Sequence, residues 1–87
     1  MTAERVQEQF GNTLLKFSNY YKYTFTFTGR TDDGYKITCW YGGSSDEIYR
    51  YDVDAESEYP LGDLDGWSAV KVEDSEGKEV FYQNNEW

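Results

Sequence analysis

The fold is decided at Tyr20-Tyr-Lys-Tyr-Thr-Phe-Thr-Phe-Thr28. Tyr21, Tyr23, Phe25 and Phe27 alternate with Lys22, Thr24, Thr26 and Thr28, and nearly every position is aromatic or β-branched. Period-two alternation of this kind predicts a half-buried strand, because successive side chains of an extended chain point to opposite faces. The aromatic side is expected to meet a core and the threonine side water.

Working back from this strand, Val6, Phe10, Leu14 and Phe17 recur at helical spacing. They predict an amphipathic helix over Ala3 to Phe17, with Thr2 as its N-cap and Ser18-Asn19 as its stop. Working forward, glycines bound a polar turn at 29–34. Tyr35 to Tyr41 follows as a strand, with Tyr35, Ile37, Cys39 and Tyr41 inward and Lys36, Thr38 and Trp40 outward. A third strand is expected from Glu47 to Val53, extending toward Glu58, then a loop over 54–66 that holds Pro60, Gly62 and Gly66. Trp67 to Val72 and Lys78 to Gln83 complete the set, joined by the turn Asp74 to Gly77. In the last strand Val80 and Tyr82 compete with Phe81 for the core. One helix followed by strands on short connections predicts an α+β domain. The N-terminal helix packs on one face of a five-stranded, mainly antiparallel sheet in two layers.

The 87 residues are long enough for one domain, read as 1–87, with a small core. Mean hydropathy is low, at −0.88, yet 20% of the residues are aromatic, and these bury enough area to fold the chain. Cys39 is the single cysteine, which leaves no intramolecular disulfide, and its inward position reads as a small buried hydrophobe rather than a nucleophile. There is no histidine, no nucleophile-elbow setting and no phosphate-binding loop, so an enzyme is not expected and no cofactor is implied. Asp52-x-Asp54-x-Glu56 matches part of a calcium loop. Ser57 and Asp63 stand where that loop needs Gly and Glu, so no metal site is assigned. No apolar run has the length of a membrane span, and no signal segment opens the chain; the expected compartment is the cytoplasm of the producing cell or of a host.

Charge supplies the functional reading. The chain carries −9 overall, but residues 1–45 carry +1 and residues 46–87 carry −10. Repulsion from phosphates disfavours nucleic acids and anionic membranes and leaves a basic protein surface as the expected partner. The acids concentrate at Asp46, Glu47, Asp52, Asp54, Glu56, Glu58, Asp63 and Asp65, with Arg50 as the one cation among them. From 52 to 58 they fall at every second position, about 6.5 Å apart in an extended chain. This spacing approximates successive phosphates of one nucleic-acid strand. Tyr49, Tyr51, Tyr59 and Trp67 would add apolar contact.

In size, charge and expected architecture the chain resembles the small acidic inhibitors of phages and mobile elements: anti-CRISPR proteins, anti-restriction proteins and other DNA mimics. The resemblance implies an inhibitor that occupies the nucleic-acid-binding surface of a partner protein. It rests on no shared motif, and no residue role is carried over from it. Two other readings stay open. In one, the outward sheet face (Thr24, Thr26, Trp40) is the contact of an interaction or regulatory domain and the acids serve solubility. In the other, the chain binds a divalent cation or small ligand. Edge strands and outward aromatics also leave room for a homodimer.

Overall fold

The computed structural model describes residues 1–22, 24–42 and 58–85. Their elements are α1 (Ala3–Phe10), β1 (Leu14–Tyr21), β2 (Thr24–Arg30), β3 (Lys36–Gly42), β4 (Glu58–Pro60), a 3-10 turn (Leu64–Gly66), β5 (Ala69–Glu73) and β6 (Glu79–Asn84). All strands join one sheet in the order β4-β1-β2-β3-β5-β6, and every neighbouring pair is antiparallel. The architecture is the expected α+β one, with six strands among the described residues rather than five. The expected strand from Glu47 to Val53 lies outside them.

The helix is shorter than its apolar periodicity predicts. It starts where expected, with the Thr2 hydroxyl accepting the Arg5 N–H at 3.2 Å, but it ends at Phe10 with Gly11 as C-cap. Residues 14–17 belong to β1 instead. Two periodicities overlap here: Val6 and Phe10 lie one helical turn apart, whereas Leu15 and Phe17 lie two residues apart along a strand. Leu15 is fully buried and Leu14 points out, 52% exposed. Sheet pairing on both sides of β1 supplies more buried contact than two further helical turns would, so tertiary structure overrides the local pattern.

The expected long strand is accordingly split. Tyr21 pairs with Thr24 across a two-residue turn, and Lys22 takes a left-handed φ of 47°. Turns of this length require positive φ and usually announce themselves with Asn-Gly or Asp-Gly. Lys22-Tyr23 gives no such signal. Tyr21, expected inward, is 66% exposed at the hairpin end, and Tyr23 lies outside the described residues.

The chain runs β1-β2-β3 as a meander, then reappears at the far edge as β4, beside β1. The segment Leu61–Ser68 carries it back across the core face to β5, on the other side of β3. Together α1 and this return segment form the second layer. They are tied to each other by Gln7, whose Nε2 donates to the Gly62 carbonyl and whose Oε1 accepts the Leu64 N–H at 3.0 Å. Backbone bonds from Gly62 to Gly11 (2.8 Å) and from Leu61 to Thr13 (2.9 Å) continue the seam.

Between the layers lie Val6 and Phe10 of the helix, Leu61 and Leu64 of the return segment, and Leu15, Phe25, Phe27, Ile37, Cys39, Val70 and Val72 of the sheet. Phe27 is central. Its ring meets Phe17, Tyr59 and Trp67 at centroid distances of 6.1, 5.5 and 5.3 Å. Pairing of Phe81 with Val72 settles the register of β6: Phe81 shares the core face and Tyr82 the outer one, opposite Lys71.

Candidate functional site

Most of the acidic tract, including all but Glu58 of the expected row, lies outside the described residues. Asp46, Glu47, Tyr49, Tyr51, Asp52, Asp54 and Glu56 lie outside them. Glu58, Tyr59, Asp63, Asp65 and Trp67 are described, and the fold distributes them over different surroundings.

Glu58 stands on the edge strand β4, opposite Lys16 in the ladder. Its Oε1 lies 3.8 Å from the Lys16 Nζ. Tyr59 turns the other way, half-buried against Phe27. Trp67 is half-buried as well. Its ring packs against Phe27 and Tyr41, and its Nε1–H donates to the Leu61 carbonyl at 2.7 Å. Both aromatics belong to the core that fixes the return segment, and that is the work their burial does.

Asp63 and Asp65 are exposed at the 3-10 turn. The Asp63 carboxylate accepts the Asp65 N–H at 3.0 Å, capping the turn, and the Asp65 carboxylate accepts from Gln83 Nε2 at 3.1 Å. The seam made by Gln7 brings this turn alongside the helix. Asp63 and Asp65 therefore line an open groove of about 350 Å³ together with Glu4 and Glu8. Those two glutamates lie far away in sequence, on the solvated side of α1, and nothing local marks them as neighbours of the tract. None of the four carboxylates makes an ion pair among the described residues. No group of three or more acidic, cysteine or histidine side chains among these residues is placed to hold a metal ion.

The opposite side of the sheet differs in charge. Directly paired residues share a face. The registers thus set Lys16, Thr28, Thr38, Lys71 and Tyr82 on one rung of the outer face, with Arg30, Lys36 and Glu73 on the next. Trp40 lies between Thr26 and Ala69, with the Lys71 Nζ 5.7 Å from its ring centroid. Thr24 and Thr26 are half-buried on the same face. Two acids of this face lie beside cations, Glu58 beside Lys16 and Glu73 beside Lys71 at 3.5 Å, while Glu79, opposite Glu73, makes no ion pair among the described residues. Four of the chain's eight cations therefore collect on the outer face, while Glu4, Glu8, Asp63 and Asp65, with Arg5 beside the two glutamates, collect on the helical layer.

Cys39 lies wholly inside, and burial pushes its thiol well above the ordinary value, so it is held protonated and out of reach. No described helix is long and apolar enough to cross a membrane. No protein-family model matches the chain, and comparison with curated proteins and with solved structures returned no match.

Proposed function

We propose that this chain is a non-enzymatic, acidic protein-binding domain that occupies a basic, nucleic-acid-binding surface of a partner protein, in the manner of anti-CRISPR and anti-restriction DNA mimics. The observation that carries the reading is the segregation of charge. Residues 46–87 hold −10, and Asp63 and Asp65 are joined on the helical layer by Glu4 and Glu8, four carboxylates against the one neighbouring cation Arg5 among the described residues. A field of one sign on one side of a small domain attracts a Lys/Arg-lined channel over long range and repels nucleic acid itself. Asp46, Glu47, Asp52, Asp54, Glu56 and Glu58 extend the acidic surface in sequence, and Tyr49 and Tyr51 supply contact area between them. Such a protein acts in the cytoplasm, where its target binds nucleic acid.

The test is affinity capture from a host lysate, followed by displacement with duplex DNA and by a salt series. Capture is expected to weaken at least ~10-fold between low and physiological salt, and DNA is expected to compete. Two variant sets localise the contact: Asp52, Asp54, Glu56 and Glu58 reversed to Lys, and Glu4→Gln, Glu8→Gln with Asp65→Asn, which spares the Asp63 cap. Capture untouched by both sets sinks the proposal. If Trp40→Ala abolishes capture instead, the outer sheet face is the contact and the acids serve solubility.

A further inference from the structure

One rung of the outer sheet face has its charges sorted by sign. Across the adjacent strands β2, β3, β5 and β6 it reads Arg30, Lys36, Glu73 and Glu79, two cations followed by two acids. The register shift at Val80 leaves Glu79 opposite Glu73. Within a single sheet this order is unfavourable twice. Arg30 faces Lys36 and Glu73 faces Glu79, and like charges directly opposite destabilise a ladder. Among the described residues Arg30, Lys36 and Glu79 make no ion pair, while Glu73 has Lys71 of the neighbouring rung at 3.5 Å.

We propose that this face is the contact of a symmetric dimer. The outer sheet face of a second copy of the chain packs against it, about a two-fold axis that runs along the strands between β3 and β5. Such a rotation keeps every residue at its own level and reverses only the order of the strands, so β2-β3-β5-β6 maps onto itself. The sorted rung then meets its own reverse: Arg30 stands opposite Glu79 of the second copy, and Lys36 opposite Glu73. A two-fold contact requires self-complementarity of this kind. On the next rung Lys71 falls opposite Thr38 of the second copy and Thr28 opposite Tyr82, so no like charges are set against each other. One rung further on, two half-buried Trp40 side chains flank the axis and add apolar contact. Lys16 and Glu58, on β1 and β4, lie outside the overlap. The overlapping face sets Arg30, Lys36 and Lys71 against Glu73 and Glu79, close to neutral in a chain of net charge −9. The two acidic helical layers are turned away from each other, which keeps their repulsion low and leaves both exposed. Four strands and three rungs span about 400 Å², against ~800 Å² per partner in a standard interface. The dimer is accordingly a weak one, in exchange with monomer.

Sedimentation over a concentration series tests the association, and two charge rearrangements test its geometry. The unaltered chain is expected to show a monomer–dimer equilibrium. Lys36→Glu with Glu79→Lys keeps the net charge and makes the rung plus-minus-minus-plus, which sets like charges opposite at every position of the dimer. It should weaken association at least ~10-fold. Lys36→Glu with Glu73→Lys also keeps the net charge but gives plus-minus-plus-minus, which remains complementary to its reverse, and should dimerise as the unaltered chain does. Circular dichroism should be the same for all three. A readout without variants is zero-length carbodiimide cross-linking of a mixture of isotopically light and heavy chains. Lys36–Glu73 links joining one light and one heavy peptide are expected. A monomer at the highest concentration reached, equal association by the two rearranged variants, or Lys36–Glu73 links confined to peptides of one isotope overturns the proposal.

Discussion

The two faces of the sheet are built by the same strands from alternate residues, yet they carry different loads. On the inner face Phe27, Ile37, Cys39, Val70 and Val72 meet a helix and a return segment, and water is excluded. On the outer face Thr26, Thr28, Lys16, Lys71 and Tyr82 have no second layer described over them. Their stabilisation comes from cross-strand neighbours and from the pairs Lys16–Glu58 and Lys71–Glu73. Among the described residues the larger buried cluster lies on the inner face, and the outer face adds Thr38 and Ala69 to the buried set.

Substitutions on the two faces should separate sharply. Phe27→Ala removes the ring around which Phe17, Tyr59 and Trp67 are arranged and should destabilise by about 3–5 kcal/mol, read as a fall in denaturant midpoint. A change below ~1 kcal/mol would mean that the two layers are not held by this cluster. Next in size is Gln7→Ala. It leaves the Gly62 carbonyl and the Leu64 N–H without their side-chain partner at the seam, for about 1–3 kcal/mol. Because that seam places Asp63 and Asp65 beside the helix, the same variant should also speed amide exchange across residues 61–66. Thr2→Ala removes the helix cap and should cost about 1 kcal/mol, measurable by thermal unfolding. At the small end, Lys71→Ala breaks a half-buried ion pair and a cation–π contact on the outer face and should change stability by about 1 kcal/mol. If Lys71→Ala rivals Phe27→Ala, the distinction between the faces fails. Cys39 offers an independent check of the inner face: a thiol reagent should react only as fast as the protein unfolds, because the sulfur is buried and protonated.

Much of the inner face was legible. Phe25 and Phe27, then Ile37 and Cys39, alternate cleanly, and the structure buries all four. Leu15 was missed because helical spacing through Leu14 and Phe17 is more conspicuous than the two-residue step from Leu15 to Phe17. The turn at Lys22 was missed because a non-glycine residue occupies the positive-φ position. β4 was hidden inside a stretch whose proline and glycines read as loop. Pro60 is tolerated there because β4 is an edge. In the candidate site, Asp63 and Asp65 were visible as members of an acidic tract. Their company with Glu4 and Glu8 was not, since it depends on Gln7 bridging to Gly62 and Leu64. The half-buried settings of Tyr59 and Trp67 were hidden for the same reason: composition records an aromatic and its charged neighbours, but not which side of the chain the core occupies.

By itself, the sequence determined the class of this protein. Alternating aromatics made strands, Thr2 started a helix, and the excess of acid after residue 45 established the sign of the electrostatic field. These are local or additive properties, available from neighbours in the chain. Tertiary structure alone decided where the helix gives way to β1, which strand lies at each edge, and which carboxylates share a groove. Those outcomes depend on pairings between residues tens of positions apart. Their free energy comes from burial and ladder hydrogen bonds that no local segment forms alone.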